Sequence, residues 1–242
     1  REAEQASARA SLTAYGDLTD LPFFTIDPPG STDLDQAMCL QPRPGGGVRV
    51  HYAIADVAAF VAPGSALAAE TKRRVLTFYS PDQRNPLHPA ALSEAAASLL
   101  PGQVRPALVW TFELDADGRD TLAGLRRALV RSRQQLGYPD VQRRFDAGEV
   151  DEPLRLLADV GRARLALAER RGATELPIPE QEVESVGDGY RLTWRVPGEV
   201  EDWNAQVSLM TGMAAARLML DGGAGVLRTL PPPPPERLAA VR

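Results

Sequence analysis

Three aspartates fall within nine residues in the stretch Thr25-Ile26-Asp27-Pro28-Pro29-Gly30-Ser31-Thr32-Asp33-Leu34-Asp35-Gln36. Asp33 and Asp35 are two positions apart, so in extended backbone they share a face. The Pro-Pro-Gly turn can fold Asp27 back toward them. Carboxylates held together repel one another, and a divalent cation relieves that repulsion. Hard oxygen donors, in a chain with only two histidines (His51, His88) and one cysteine (Cys39), suit Mg²⁺ or Mn²⁺ rather than zinc. Sites of this kind serve phosphoryl chemistry, activating water and stabilising the leaving oxygen. The same spacing also suits a solvated acidic turn whose aspartates bond backbone amides. Spacing alone leaves both readings open.

Composition narrows the setting. The 242 residues carry 27 basic against 32 acidic side chains, a net charge of −5, and 44% are hydrophobic, enough for a substantial core. One cysteine excludes a disulfide framework, a Cys-rich zinc site and an iron–sulfur cluster, and a reducing, cytoplasmic setting is expected. No apolar run approaches the ~18 residues that span a bilayer, so no membrane partner is expected. The chain begins at Arg1 with no secretory pattern and reads as part of a longer protein. All basic residues but Lys72 are arginines, which suit phosphate recognition.

The elements that must position the aspartates follow from pattern. Residues 1–20 are polar and alanine-rich and read as a helix or tail; residues 21–242 form the main domain. Phe23 to Ile26 and Val48 to Ile54 carry strand signals. Gly64 to Val75 reads as a helix with Ser65 as N-cap. Leu108 to Leu114 and Thr121 to Arg131 form the arms of a hairpin around Asp115-Ala116-Asp117-Gly118, and Val183 to Val196 forms another around Gly187-Asp188-Gly189. The sequence predicts a mostly helical region from Ser132 to Ala173, interrupted at Gly137-Tyr138-Pro139, and a long helix from Glu199 to Leu220. Pro231 to Pro235 reads as a polyproline connector. Strands and helices mix without βα alternation, which predicts an α+β fold: a mixed or antiparallel sheet with flanking helices.

Further stretches lie in a fixed order around the acidic cluster: Ile54-Ala55-Asp56-Val57, Pro63-Gly64-Ser65, Thr77-Phe78-Tyr79-Ser80-Pro81-Asp82, Pro86-Leu87-His88-Pro89, Leu92-Ser93, Ser98-Leu99, Val104-Arg105-Pro106 and Val200-Glu201-Asp202-Trp203. This ordered series, from Leu21 to about Leu220, resembles the ribonuclease II/R family. The resemblance implies an RNB-type catalytic domain. It also implies a Mg²⁺-dependent hydrolytic 3′→5′ exoribonuclease that releases nucleoside 5′-monophosphates from single-stranded RNA.

Carried over by motif, Asp27, Asp33 and Asp35 fall on metal-binding or catalytic aspartates, with Asp35 at the position on which cleavage depends most. Tyr79 falls on a tyrosine that stacks on the terminal nucleotide; the competing reading is a core aromatic. Tyr138 falls near a tyrosine that senses ribose, with Glu201 or Asp202 as its acidic partner. Arg105 is a candidate RNA contact. Asp56, in another of the motifs, either fixes a loop or meets substrate. Arg127, Arg131 and Arg133 share a face at strand spacing, either along a phosphate channel or on a solvated sheet face. His51 and His88 read as structural, and Cys39 as a small core side chain.

Two departures stand out. Gln36 replaces the last aspartate of the cluster, keeping a carbonyl oxygen that can ligate Mg²⁺ but not the charge. The family's downstream arginine-bearing His-x-Thr-Ser-Pro-Ile-Arg-Arg-Tyr stretch is absent, so the chain is expected to cover only the front of a catalytic domain. An RNA-binding protein without catalysis is the alternative function. Sequence leaves the oligomeric state open.

Overall fold

A computed structural model describes residues 3, 12–80, 83–173, 178–227, 229, 231, 232 and 234. Among the described residues ten strands and four α-helices follow in order: β1 Gly16–Asp17, β2 Phe23–Asp27, β3 Gln36–Pro42, β4 Val48–Ala55, α1 Ala66–Arg74, β5 Phe78–Tyr79, β6 Arg84–Asn85, β7 Val104–Leu114, β8 Asp120–Gly137, α2 Tyr138–Ala147, α3 Glu152–Arg170, β9 Glu180–Val186, β10 Gly189–Arg195 and α4 Glu199–Asp221. Strands β2, β3, β4, β7 and β8 pair in that order, and β8 pairs back onto β2, so the sheet closes on itself. The long β8 makes this closure. Its first part runs antiparallel to β7, from Leu114↔Asp120 to Val104↔Arg131, and its last part runs parallel to β2, from Phe23↔Ser132 to Asp27↔Gly137.

Side-chain alternation sorts two cores. Ala37, Cys39, Ala53, Ala55, Ala107, Val109, Ala128 and Val130 face the closed interior with Phe23, Leu34 and Leu99. A five-stranded closure leaves too little bore for larger side chains at every position, which accounts for the alanines. The alternate residues Phe24, Ile26, Met38, Val50, Tyr52, Trp110, Phe112 and Leu136 form the outer wall, against Val141, Leu154, Leu157, Trp203, Val207 and Met210 of the helices. A bulge in β8 opposite Phe23 and Phe24 moves Leu136 to the outer wall. Helices α3 and α4 meet at Gly161, where an added Cβ would lie 2.3 Å from Cβ of Trp203.

The mixed sheet with flanking helices matches the expected class. Ser65 caps α1, accepting from Ala68 N at 3.1 Å, and both predicted hairpins form. One expectation is corrected: Ser132 to Gly137 is strand, not helix, and α2 begins only at Tyr138. Pairing with β2 overrides the weak helical signal of this polar stretch. Most of residues 1–11, and Pro233 and Pro235 of the proline run, lie outside the described residues. Among the described residues no helix is long and apolar enough to cross a membrane.

Candidate active site

Asp27 ends β2, and Asp33 and Asp35 follow in the loop before β3. Between them Gly30 sits at φ +82°, a left-handed turn position that suits glycine. Leu34 is completely buried in the barrel interior. Its neighbours in extended backbone therefore point the other way, which places the Asp33 and Asp35 carboxylates on one outer side. Ser98 clamps this loop: its Oγ donates to Thr32 O at 2.7 Å and accepts from Leu34 N at 3.0 Å. Leu99 N donates to Leu34 O at 2.8 Å, and Ala55 N to Asp35 O at 2.9 Å. The Ser98-Leu99 pair thus earns its place in the motif series by holding the aspartate loop.

The three carboxylates sense one another. Burial first, then the charges of Asp35 and Asp33, push the Asp27 carboxyl up to about 6. The nearby Thr25 hydroxyl pulls the other way without closing a hydrogen bond, and buried Asp27 Oδ2 has no hydrogen-bond partner. Burial, then the Asp33 charge, also raises Asp35. Asp33 instead accepts from Arg84 Nη1 at 2.7 Å, and Arg84 Nη2 donates to Glu94 Oε1 at 2.6 Å. Among the described residues no three His, Cys, Asp or Glu side chains close tightly enough to hold a metal ion. Hard oxygen donors under mutual repulsion, one of them orphaned, nonetheless fit a divalent cation in their chemistry.

Gln36 opens β3, and its Oε1 accepts from the Tyr52 hydroxyl. Tyr52 is buried, which raises its phenol pKa. The register Asp27↔Gly137 brings the start of α2 beside Asp27. There Tyr138 is pushed up to about 12, mainly by burial and next by the Asp27 charge. Its hydroxyl accepts from Asn204 Nδ2 at 2.8 Å. Glu201, expected as the tyrosine's acidic partner, is bound through both oxygens by Arg195 Nη1 at 2.7 Å and accepts from Gly198 N at 3.3 Å. It reaches Tyr138 only as a charge that raises its pKa.

Tyr79 is 75% exposed, which excludes the core-aromatic reading. It lies in the β5–β6 hairpin opposite Arg84, whose guanidinium binds Asp33. Arg105 lies across the same region, with Nε donating to Ala95 O at 3.1 Å and Ser98 O at 3.2 Å. Those bonds secure the turn that carries Ser98. Asp56 is buried, accepts from Tyr15 at 2.5 Å and pairs with Arg127 at 3.0 Å, which fixes the segment before β1. Arg133 donates to Thr19 O at 2.9 Å. Arg127 and Arg133 thus hold the leading segment against β8. His51 shares a hydrogen bond with Thr111 at 3.0 Å, and Cys39 is buried.

Arg84, Glu94, Tyr52 and Asn204 were not singled out from sequence. Asn204 carried one readable signal, lying three residues after Glu201 and so on the same helical face.

The RNB domain model matches residues 15–242. Exoribonuclease 2 of Sodalis glossinidius (strain morsitans) is 30% identical over 241 residues, covering 90% of this chain and 36% of that protein. A protein of Arabidopsis thaliana named Inactive exonuclease DIS3L2 is 39% identical over 126 residues, covering 52% of this chain and 12% of its own length. The structure of Mycoplasma genitalium RNase R in complex with ribose methylated single-stranded RNA superposes with a TM-score of 0.89 at 25% identity, covering 99% of this chain and 40% of that one. The chain therefore spans well under half the length of these proteins.

Proposed function

Because the chain belongs to the RNB-domain family, we propose that it is the catalytic portion of a hydrolytic 3′→5′ exoribonuclease that releases nucleoside 5′-monophosphates from single-stranded RNA. The observation that carries this reading is the orphaned, buried Oδ2 of Asp27, raised in pKa beside Asp33 and Asp35. Asp27, Asp33 and Asp35 would hold Mg²⁺ or Mn²⁺, with the Gln36 carbonyl as a neutral fourth donor. When bound, the cation supplies an activated water and stabilises the charge that develops on phosphate oxygens.

The chain's own residues supply position. Asp35, in the loop locked by Leu34 and Ser98, is the carboxylate on which cleavage depends. Tyr79 presents an exposed ring to the terminal base, and stacking suits a sequence-tolerant enzyme because every base offers a π-face. Tyr138, oriented by Asn204, presents a phenol to the ribose, where a 2′-hydroxyl separates RNA from DNA. Arg105 acts through the Ser98 turn, and Glu201 through the start of α4.

The test is release of nucleoside monophosphates from single-stranded RNA by the whole protein, with and without Mg²⁺. Asp35→Asn should lower turnover by about 10²–10³ or more while sparing RNA binding. Undiminished turnover would refute the assignment. A second reading, RNA binding without hydrolysis, is favoured by Gln36, whose carbonyl is engaged by Tyr52. Under the first reading Gln36→Asp lowers the Mg²⁺ concentration needed for half-maximal activity. Under the second the parent is inactive at every Mg²⁺ concentration.

A further inference from the structure

Arg84 spans two carboxylates: Nη1 lies 2.7 Å from Asp33 Oδ2 and Nη2 lies 2.6 Å from Glu94 Oε1. Glu94 is steadied from behind by Thr32 Oγ1 at 3.1 Å. The arginine therefore rests on the aspartate loop through Asp33 and on the turn after β6 through Glu94. Asp27, by contrast, has an oxygen with no hydrogen-bond partner at all. Of the three aspartates, Asp33 has its charge met by one arm of the Arg84 guanidinium, a bond that a divalent cation on the same oxygen would have to displace. This pairing also bears on why no three carboxylates close on one point among the described residues.

We propose that Arg84 is a resident counter-cation that competes with the divalent metal for Asp33. The metal binds only as Arg84 gives up Asp33, while Glu94 keeps the guanidinium at the edge of the site. Arg84 thereby sets the metal demand of the site and shields Asp33 when no metal is present. The inference rests on the reading of Asp27, Asp33 and Asp35 as a cation site.

The test is Mn²⁺ binding to the chain without RNA, followed by electron paramagnetic resonance of free Mn²⁺ at low ionic strength. Arg84→Gln removes a unit charge and a competitor a few ångströms from the ion, so Kd should tighten about tenfold. Arg84→Lys keeps the charge but loses the fork and should fall between, and it carries the test if the glutamine variant does not fold. Arg73→Gln removes an arginine paired with Glu70 on the exposed side of α1 and should leave Kd unchanged. Equal Kd for the parent and Arg84→Gln, with Asp35→Asn abolishing binding, would overturn the competition and leave the cation site standing. An equal shift in Arg73→Gln would reduce the effect to net charge and overturn the proposal too. No Mn²⁺ binding in any variant would overturn both the competition and the cation site.

Discussion

Asn204 donates to the hydroxyl of Tyr138 at 2.8 Å, joining the first residue of α2 to the second turn of α4. With its phenol held as an acceptor from Asn204, Tyr138 keeps its own proton to offer. A ribose 2′-hydroxyl is a matching partner for it. Asn204→Ala should leave the ring in place but free its hydroxyl to rotate. The preference for RNA over an all-deoxy strand should fall about three- to tenfold, the worth of one hydrogen bond. Competition between RNA and DNA of one sequence measures it, and an unchanged ratio would remove Tyr138 from ribose recognition.

Tyr79→Ala should lengthen the last undigested fragment without stopping hydrolysis. Losing one stacking platform costs about 1–3 kcal/mol of binding per base, which long RNA recovers elsewhere and short RNA does not. The size of the end product on a sequencing gel reports this directly. Because Tyr79 is largely exposed, the thermal midpoint should not move.

The raised carboxyl of Asp27 predicts a pH dependence of stability in the metal-free protein. Its folded pKa of about 6 exceeds the ordinary 3.8, so the folded state holds its proton longer than the unfolded chain does. The associated stability is full below pH 4 and lost as pH rises through about 6. Discounted for partial solvent access, the loss amounts to about 1–2 kcal/mol. Urea unfolding in EDTA at pH 4.5 and pH 7 should show this slope, and Asp27→Asn should flatten it. A slope that survives in the variant would place its origin in another group.

Gly161→Ala should destabilise the fold by about 1–3 kcal/mol through overpacking, because the new methyl meets the buried Trp203. As α4 also carries Glu201 and Asn204, the variant should lose RNA–DNA discrimination as well as melting temperature. A neutral melting curve would mean that α3 and α4 separate more easily than their packing indicates.

Elements with a local cause were readable from sequence: the Ser65 cap, the Asp115–Gly118 turn and the apolar runs of β2 and β4. Barrel closure was not. It depends on Ser132 to Gly137, a polar run that becomes strand only because β2 lies beside it. The site divides the same way. Asp27, Asp33 and Asp35 stood out because they crowd one short segment. Arg84 is 51 residues from Asp33, in a two-residue strand too short to leave a pattern, and Asn204 meets Tyr138 only through the packing of helices.

The side chains that anchor the aspartate loop, Leu34 in the barrel bore and Ser98 behind it, carry no charge and take no part in the proposed chemistry. The loop's shape is thus insured separately from its reactivity. Asp27 and Asp35 impose a folding penalty, since the surroundings of both carboxyls raise their pKa and so disfavour the charged form. Neutralising them should relax the protein rather than unravel it. Under the proposed function, one or two substitutions that abolish hydrolysis would leave the shape of the loop intact, whereas regaining hydrolysis means accepting that penalty again.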